Sequence, residues 1–204
     1  MKKDNRGFSL IEFIIVVAIM AILLGVMAAS ISRIAGFRAK ECRTKVISSL
    51  ENGRLMTLSK SRGGSTLGST DTYLIFVRND TDACNYCITV IDGAYYDVKK
   101  ISKGGVVLKY STDPDATDGT PIGSITTGTK GLGLSDTADL DNAKAAGYKI
   151  GFNRQNGAFI PDSSLNYTYR LFASLGQYNY GISLHPKTGK VEVGERTRVT
   201  TTTP

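Results

Sequence analysis

Glu12 is the residue whose type and position most demand a chemical explanation. It stands in RGFSLIEFIIVVAIMAILL (6–24), near the start of a 22-residue apolar run from Phe8 to Ala29 in which it is the only ionisable group. About 20 such residues span a bilayer's hydrocarbon. An acid inside such a segment costs about 2.5–3.5 kcal/mol at the centre and less near the edge. A carboxylate there calls for a cation, and the run itself supplies none.

Other chemistry-bearing groups are sparse. His185 is the sole histidine and precedes Pro186 in an expected turn, so a Ser-His-Asp relay would rest on it alone. GLGLSD (131–136) lacks the third glycine of a dinucleotide loop. DPDATDG (113–119) offers Asp113, Asp115 and Asp118 as oxygen ligands for calcium. An EF-hand would want an acid or Asn at 117 and Gly at 118, where Thr and Asp stand. A solvated acidic turn is the preferred reading. The three cysteines are Cys42, Cys84 and Cys87. They do not make a zinc set, even with His185. Outside the cytoplasm a Cys84–Cys87 disulfide would close a turn and leave Cys42 buried and free; a bridge from Cys42 to Cys84 or Cys87 is the alternative. No enzymatic activity, cofactor or metal is expected from these residues.

The formal charge is +7, but it is unevenly placed. Residues 1–7 carry three cations and one acid, residues 33–62 eight cations and two acids, and residues 63–204 fourteen of each. The positive charge therefore belongs to the stem, and a neutral domain is a poor electrostatic trap for nucleic acid.

The elements that must hold these groups follow from periodicity. Beyond the apolar run, Ile34, Phe37, Val46, Ile47, Leu50, Leu55 and Leu58 recur at helical spacing, and Gly63-Gly64 is a stop signal. One helix from Phe8 to about Ser61 would be about 80 Å long. Eight aromatic or β-branched runs follow, at 72–79, 86–92, 95–101, 106–111, 148–153, 169–174, 178–184 and 190–193. Turn residues such as Asp92-Gly93, Gly104-Gly105 and Asn156-Gly157 separate most of them, which argues for antiparallel pairing. The Thr-, Gly- and Asp-rich stretch 112–147 is a long excursion with a short helix at DTADLDNAKAAG. The expected fold is α+β: a long N-terminal stalk, about residues 8–61, packed against a C-terminal antiparallel sheet domain. The expected segments are a short basic segment at 1–7, a transmembrane helix at 8–29, an amphipathic stem at 30–62 and a β-rich domain at 63–204.

The N-terminus resembles that of type IV prepilins and type II secretion pseudopilins. Lys2, Lys3 and Arg6 make a basic leader, followed by Gly7, Phe8, Ser9, Leu10, Ile11 and Glu12. The ending GISLHPKTGKVEVG (181–194) resembles the closing hairpin of H-type minor pseudopilins. The resemblance implies that the segment 1–7 is a leader and 8–29 an assembly helix, with cleavage between Gly7 and Phe8 by a membrane peptidase that also methylates the Phe8 amine. It further implies that Glu12 meets the Phe8 amine of a neighbouring subunit. Where many members of the family have a proline in the anchor helix, this chain has Ala29, with Gly25 and Gly36 as the expected weak points. Three cations before the run against five in 33–45 favour the opposite topology by the positive-inside rule, whereas leader processing requires a cytoplasmic N-terminus.

Two functions are therefore expected to compete. The first is a structural subunit, of the minor kind, in a pilus-like filament, secretion pseudopilus or competence system. It would be anchored by one membrane pass and then transferred to an extracytoplasmic fibre. Its partners would be the prepilin peptidase and methylase, other subunits, an inner-membrane assembly platform and the membrane itself. The second is a minor pilin that binds DNA or another ligand, with Lys187, Lys190, Arg196 and Arg198 as candidate contacts.

Overall fold

The computed structural model describes residues 10–60, 72–128, 131–161 and 166–198, with the side chains of 26–33, 60 and 198 outside that description. The helix stop expected at Gly63-Gly64 lies outside the described residues.

Helix α1 runs unbroken over Leu10–Lys60, about 77 Å at 1.5 Å per residue. Its upper half is one wall of the domain. The buried seam is Ala39, Cys42, Val46, Leu50, Gly53 and Thr57, stepping by three and four residues. This corrects the expected stripe. Val46 and Leu50 are fully buried, but Ile34, Phe37 and Leu55 face outwards, at 50, 67 and 63 % exposure. The seam favours small residues because the sheets lie almost against the helix backbone. A Cβ at Gly36 would sit 3.4 Å from the Tyr178 ring, and one at Gly53 would sit 3.0 Å from Phe152. Gly36 is thus a packing position as well as a helix-weakening one. Ser49 and Thr57 donate their hydroxyls to the carbonyls of Lys45 and Gly53, which satisfies them within the seam.

The domain contains two sheets rather than one. The strands are β1 (Tyr73–Asn79), β2 (Cys84–Ile91), β3 (Ala94–Lys100), β4 (Val107–Ser111), β5 (Thr120–Pro121), β6 (Ser124–Ile125), β7 (Tyr148–Phe152), β8 (Phe159–Ile160), β9 (Arg170–Leu175), β10 (Tyr178–His185) and β11 (Lys190–Arg198). The first sheet is ordered β3-β2-β1-β7-β8 and the second β11-β10-β9-β4-β5. Every pairing is antiparallel except β6, which runs parallel to β1 at Arg78–Ser124. The β2–β3 turn has positive φ at both Asp92 (54°) and Gly93 (81°), the geometry that a two-residue hairpin favours.

A shared core explains why both sheets need α1. Cys42, Val46 and Leu50 from the helix pack with Leu74, Phe76 and Cys87 of the first sheet and Leu108, Leu171, Ala173 and Ile182 of the second. The first sheet is buried on its other face too. Ile75, Val77, Tyr86, Ile88 and Val90 meet Ile125, Leu132, and Leu140 and Ala143 of α2 (Thr137–Ala146). That is why β2 is buried along its whole length instead of alternating. The 112–147 excursion is therefore a cover. Its first part lies over the second sheet, where Thr117 O accepts from Asn179 Nδ2 at 2.9 Å and Pro114 O accepts from Arg170 Nε.

Candidate functional site

The lower half of α1 has no protein layer against it among the described residues. From Leu10 to Leu24 twelve large apolar side chains are exposed, from 48 % at Val16 and Val17 to 79 % at Leu10. With each half to three-quarters exposed, burying the remainder contributes roughly 1–2 kcal/mol apiece, so leaving twelve in water costs on the order of 10–20 kcal/mol. The arrangement is a rod whose upper half is folded into a domain and whose lower half requires an apolar surrounding. Among the described residues no helix is long and apolar enough to cross a membrane. Described apolar side chains run only from Leu10 to Gly25, about 24 Å, whereas the sequence run extends from Phe8 to Ala29.

Glu12 lies in the first turn of α1, where a negative charge is favourable to the helix dipole. It projects from the same exposed segment as Ile11 and Phe13. Gly7 and Phe8, the expected cleavage and methylation positions, lie outside the described residues.

The cysteines correct an expectation. Cys42, Cys84 and Cys87 are all free and buried. Cys84 and Cys87 are three residues apart on β2, so they point to opposite faces of the sheet: Cys87 into the core shared with α1, Cys84 towards α2. No disulfide can join them in that register, and the alternative pairings to Cys42 are not formed either. Burial pushes the Cys42 and Cys87 thiols up to about 12, so neither is a nucleophile at neutral pH.

The cations suggested for DNA do not form one patch. Lys187 and Lys190 sit at the β10–β11 turn, and Lys190 is 2.6 Å from Glu192, which also lies 3.2 Å from His185. These partners, Lys190 first and then His185, hold the Glu192 carboxyl below the usual range. Arg196 lies six residues along β11, about 20 Å away, with its guanidinium 4.7 Å from the Tyr178 ring. Arg198 pairs with Tyr178 in the backbone register, and its side chain lies outside the described residues. At the turn, Tyr167, Tyr169, His185, Pro186, Lys187 and Thr188 line an open cleft of about 310 Å³.

The Asp113 and Asp118 carboxylates of the acidic loop are engaged by partners of their own. Asp118 takes both oxygens to Lys109 Nζ, at 2.8 and 2.9 Å, while Asp113 accepts the Asp115 N–H at 2.9 Å in an Asx turn. Among the described residues no three His, Cys, Asp or Glu side chains converge as metal ligands.

Sequence reasoning missed the polar centre at Asp82. Its carboxylate accepts from Tyr86 Oη at 2.6 Å, Lys100 Nζ at 2.9 Å and the Cys84 N–H at 3.1 Å. Burial works against its charge, but these three donors outweigh burial and lower its pKa. Burial and Asp82 together push Tyr86 up to about 12. The only signal was TDACNYC itself, an acid at the tip of a β-hairpin, which reads as an ordinary turn.

Residues 2–28 match the family described as the prokaryotic N-terminal methylation motif. That motif is the hallmark of type IV prepilins and pseudopilins, whose subunits are structural. It covers Lys2, Lys3, Gly7, Phe8 and Glu12 and the whole exposed apolar segment Leu10–Leu24. No curated protein and no solved structure matches the chain significantly.

Proposed function

We propose that this chain is a minor structural subunit of a type IV pilus-like filament or secretion pseudopilus. The observation that carries the reading is continuity: the methylation motif runs directly into twelve exposed apolar side chains on a helix whose other half is built into a domain. A motif of this kind implies processing by a prepilin peptidase and assembly with other pilin subunits.

Processing after Gly7 frees the Phe8 amine at the start of the rod. Before assembly the apolar half is held in the membrane with the leader on the cytoplasmic side. In the fibre the same half packs against the equivalent helices of other subunits, exchanging lipid for protein at little hydrophobic cost. Glu12 is the one ionisable side chain in that contact zone. Pairing it with the Phe8 amine of the next subunit offsets its desolvation, and any other stagger leaves two buried charges apart. Glu12 thereby sets the axial register. The hairpin 181–194 is the residue-level support for a minor subunit.

The test is Glu12→Ala followed in native cells. The variant is expected to lose its leader normally, because Gly7 and Phe8 are untouched, and to be absent from sheared fibres. Entry into fibres at the wild-type level would overturn the register role.

A further inference from the structure

We propose that the base of the domain is a lipid-headgroup clamp, which docks on anionic phospholipid while the subunit waits in the membrane. This rests on the anchored reading above. The clamp is built where α1 enters the domain. There Gly36 packs on the Tyr178 ring, and Arg196 lies 4.7 Å from that ring and 5.8 Å from Tyr180. Arg43 lies 5.0 Å from the Tyr180 ring and donates from Nη1 to Gly194 O at 3.3 Å, tying β11 to the helix. Arg38, Lys40 and Arg196 are exposed at this level, and so is Phe37, at 67 %. The acids nearby are Glu41 and Glu195. Glu41 is engaged by Lys45 at 3.0 Å and Lys103 at 3.9 Å, which leaves Glu195 as the exposed acid beside Arg196.

Height and composition both fit a headgroup layer. The apolar run ends at Ala29, and Phe37 and Arg38 lie about 12–14 Å further along the helix. Headgroups extend about 5–8 Å beyond the hydrocarbon on each side, and long basic side chains reach down across the rest. An exposed apolar ring beside cations offers a membrane surface both apolar area and charge.

The clamp also resolves the topological conflict. Five cations in 33–45 stand on the side that the positive-inside rule would leave nearly bare, at a cost to translocation. The retention of the exposed pair Arg38 and Lys40 is explained if they bind anions once across. Each Lys or Arg near an anionic surface favours the docked state about fivefold, so three favour it by roughly two orders of magnitude at low salt.

The chain contains no tryptophan, so one introduced indole reports alone. Full chain carrying Phe37→Trp is reconstituted in nanodiscs, either phosphatidylcholine alone or mixed with phosphatidylglycerol, that contain a lipid spin-labelled on its headgroup. Leu23→Trp in matching discs with brominated acyl chains reports insertion of the apolar helix. Phe37→Trp is expected to be quenched about threefold or more in the anionic discs, and to fall to the zwitterionic level in 1 M salt, where screening reaches about 3 Å. Adding Arg38→Gln and Lys40→Gln, both exposed, is expected to do the same without unfolding. Leu23→Trp should be quenched equally in all discs. Equal quenching of Phe37→Trp in both lipids, with Leu23→Trp inserted, overturns the clamp and leaves the anchor standing. If the double Gln variant then fails to enter fibres, the cations serve a neighbouring subunit instead. An unquenched Leu23→Trp overturns the anchor, and the clamp with it.

Discussion

Leu50→Ala measures whether the stalk is truly a wall of the domain. Leu50 is fully buried between both sheets, in the core that also holds Leu74, Phe76, Leu108 and Leu171. The substitution removes three carbon groups at about 0.8 kcal/mol each, or about 2.4 kcal/mol of transfer free energy. A helix backbone fixed against two sheets cannot collapse into the gap, so a cavity contribution raises the loss to about 4 kcal/mol. Leu55→Ala on the outer face, 63 % exposed, is the matched control and should stay within about 0.5 kcal/mol. The assay is urea unfolding of the detergent-solubilised chain followed by tyrosine fluorescence, since the apolar half of α1 stays helical in detergent and would mask far-ultraviolet signals. With a slope of about 2 kcal/mol per molar urea, the Leu50→Ala midpoint should fall by about 1.2–2 M. Equal midpoints for the two variants would refute the packing of α1 into a shared core.

Gly147→Ala should cost about 1–3 kcal/mol, read as a lowered urea midpoint. The φ of −74° suits any residue, but a Cβ there would overlap Ile75 Cγ2 and the Ala143 carbonyl. Asp82 has a lowered pKa, so its contribution to stability is present above the unfolded carboxylate value near 4 and is lost as pH falls through the folded value. Lys100 is raised chiefly by its hydrogen bond to Asp82, so its contribution is present below about 10.5 and lost above the folded value. Asp82→Asn should remove both edges of that pH–stability profile. The three thiols should leave the intact mass unchanged on reduction and should alkylate only under denaturant; a reducible bridge between Cys84 and Cys87 would contradict the register of β2.

Local elements were legible where the chain itself enforces them. All eight long strands were visible as aromatic and β-branched runs between Gly turns, and α2 as a short periodic stretch after Asp136. β5, β6 and β8 were not, because two residues carry no period. The division into two sheets was equally hidden. The chain first crosses between β3 and β4, where Ile101 and Ser102 bond back to Asn85, and crosses again between β5 and β6 and between β8 and β9; successive hairpins look alike in sequence. The stripe on α1 misled because large apolar residues were read as the buried face. Close sheet packing selected Ala39, Cys42 and Gly53 instead, and left Phe37 outside. The methylation motif was legible because it is written in contiguous residues, 2–28. The cysteine geometry was not, since Cys-x-x-Cys reads alike in a turn or across a strand, and only the register of β2 decides.

Processing and fibre entry are read together at the N-terminus of the protein recovered from sheared surface fibres, by intact and fragment mass spectrometry. A processed pilin-like subunit begins at Phe8 and carries a methyl group on its amine. A fibre-borne chain that begins at Met1, or one cut beyond the apolar run, would overturn the proposed function.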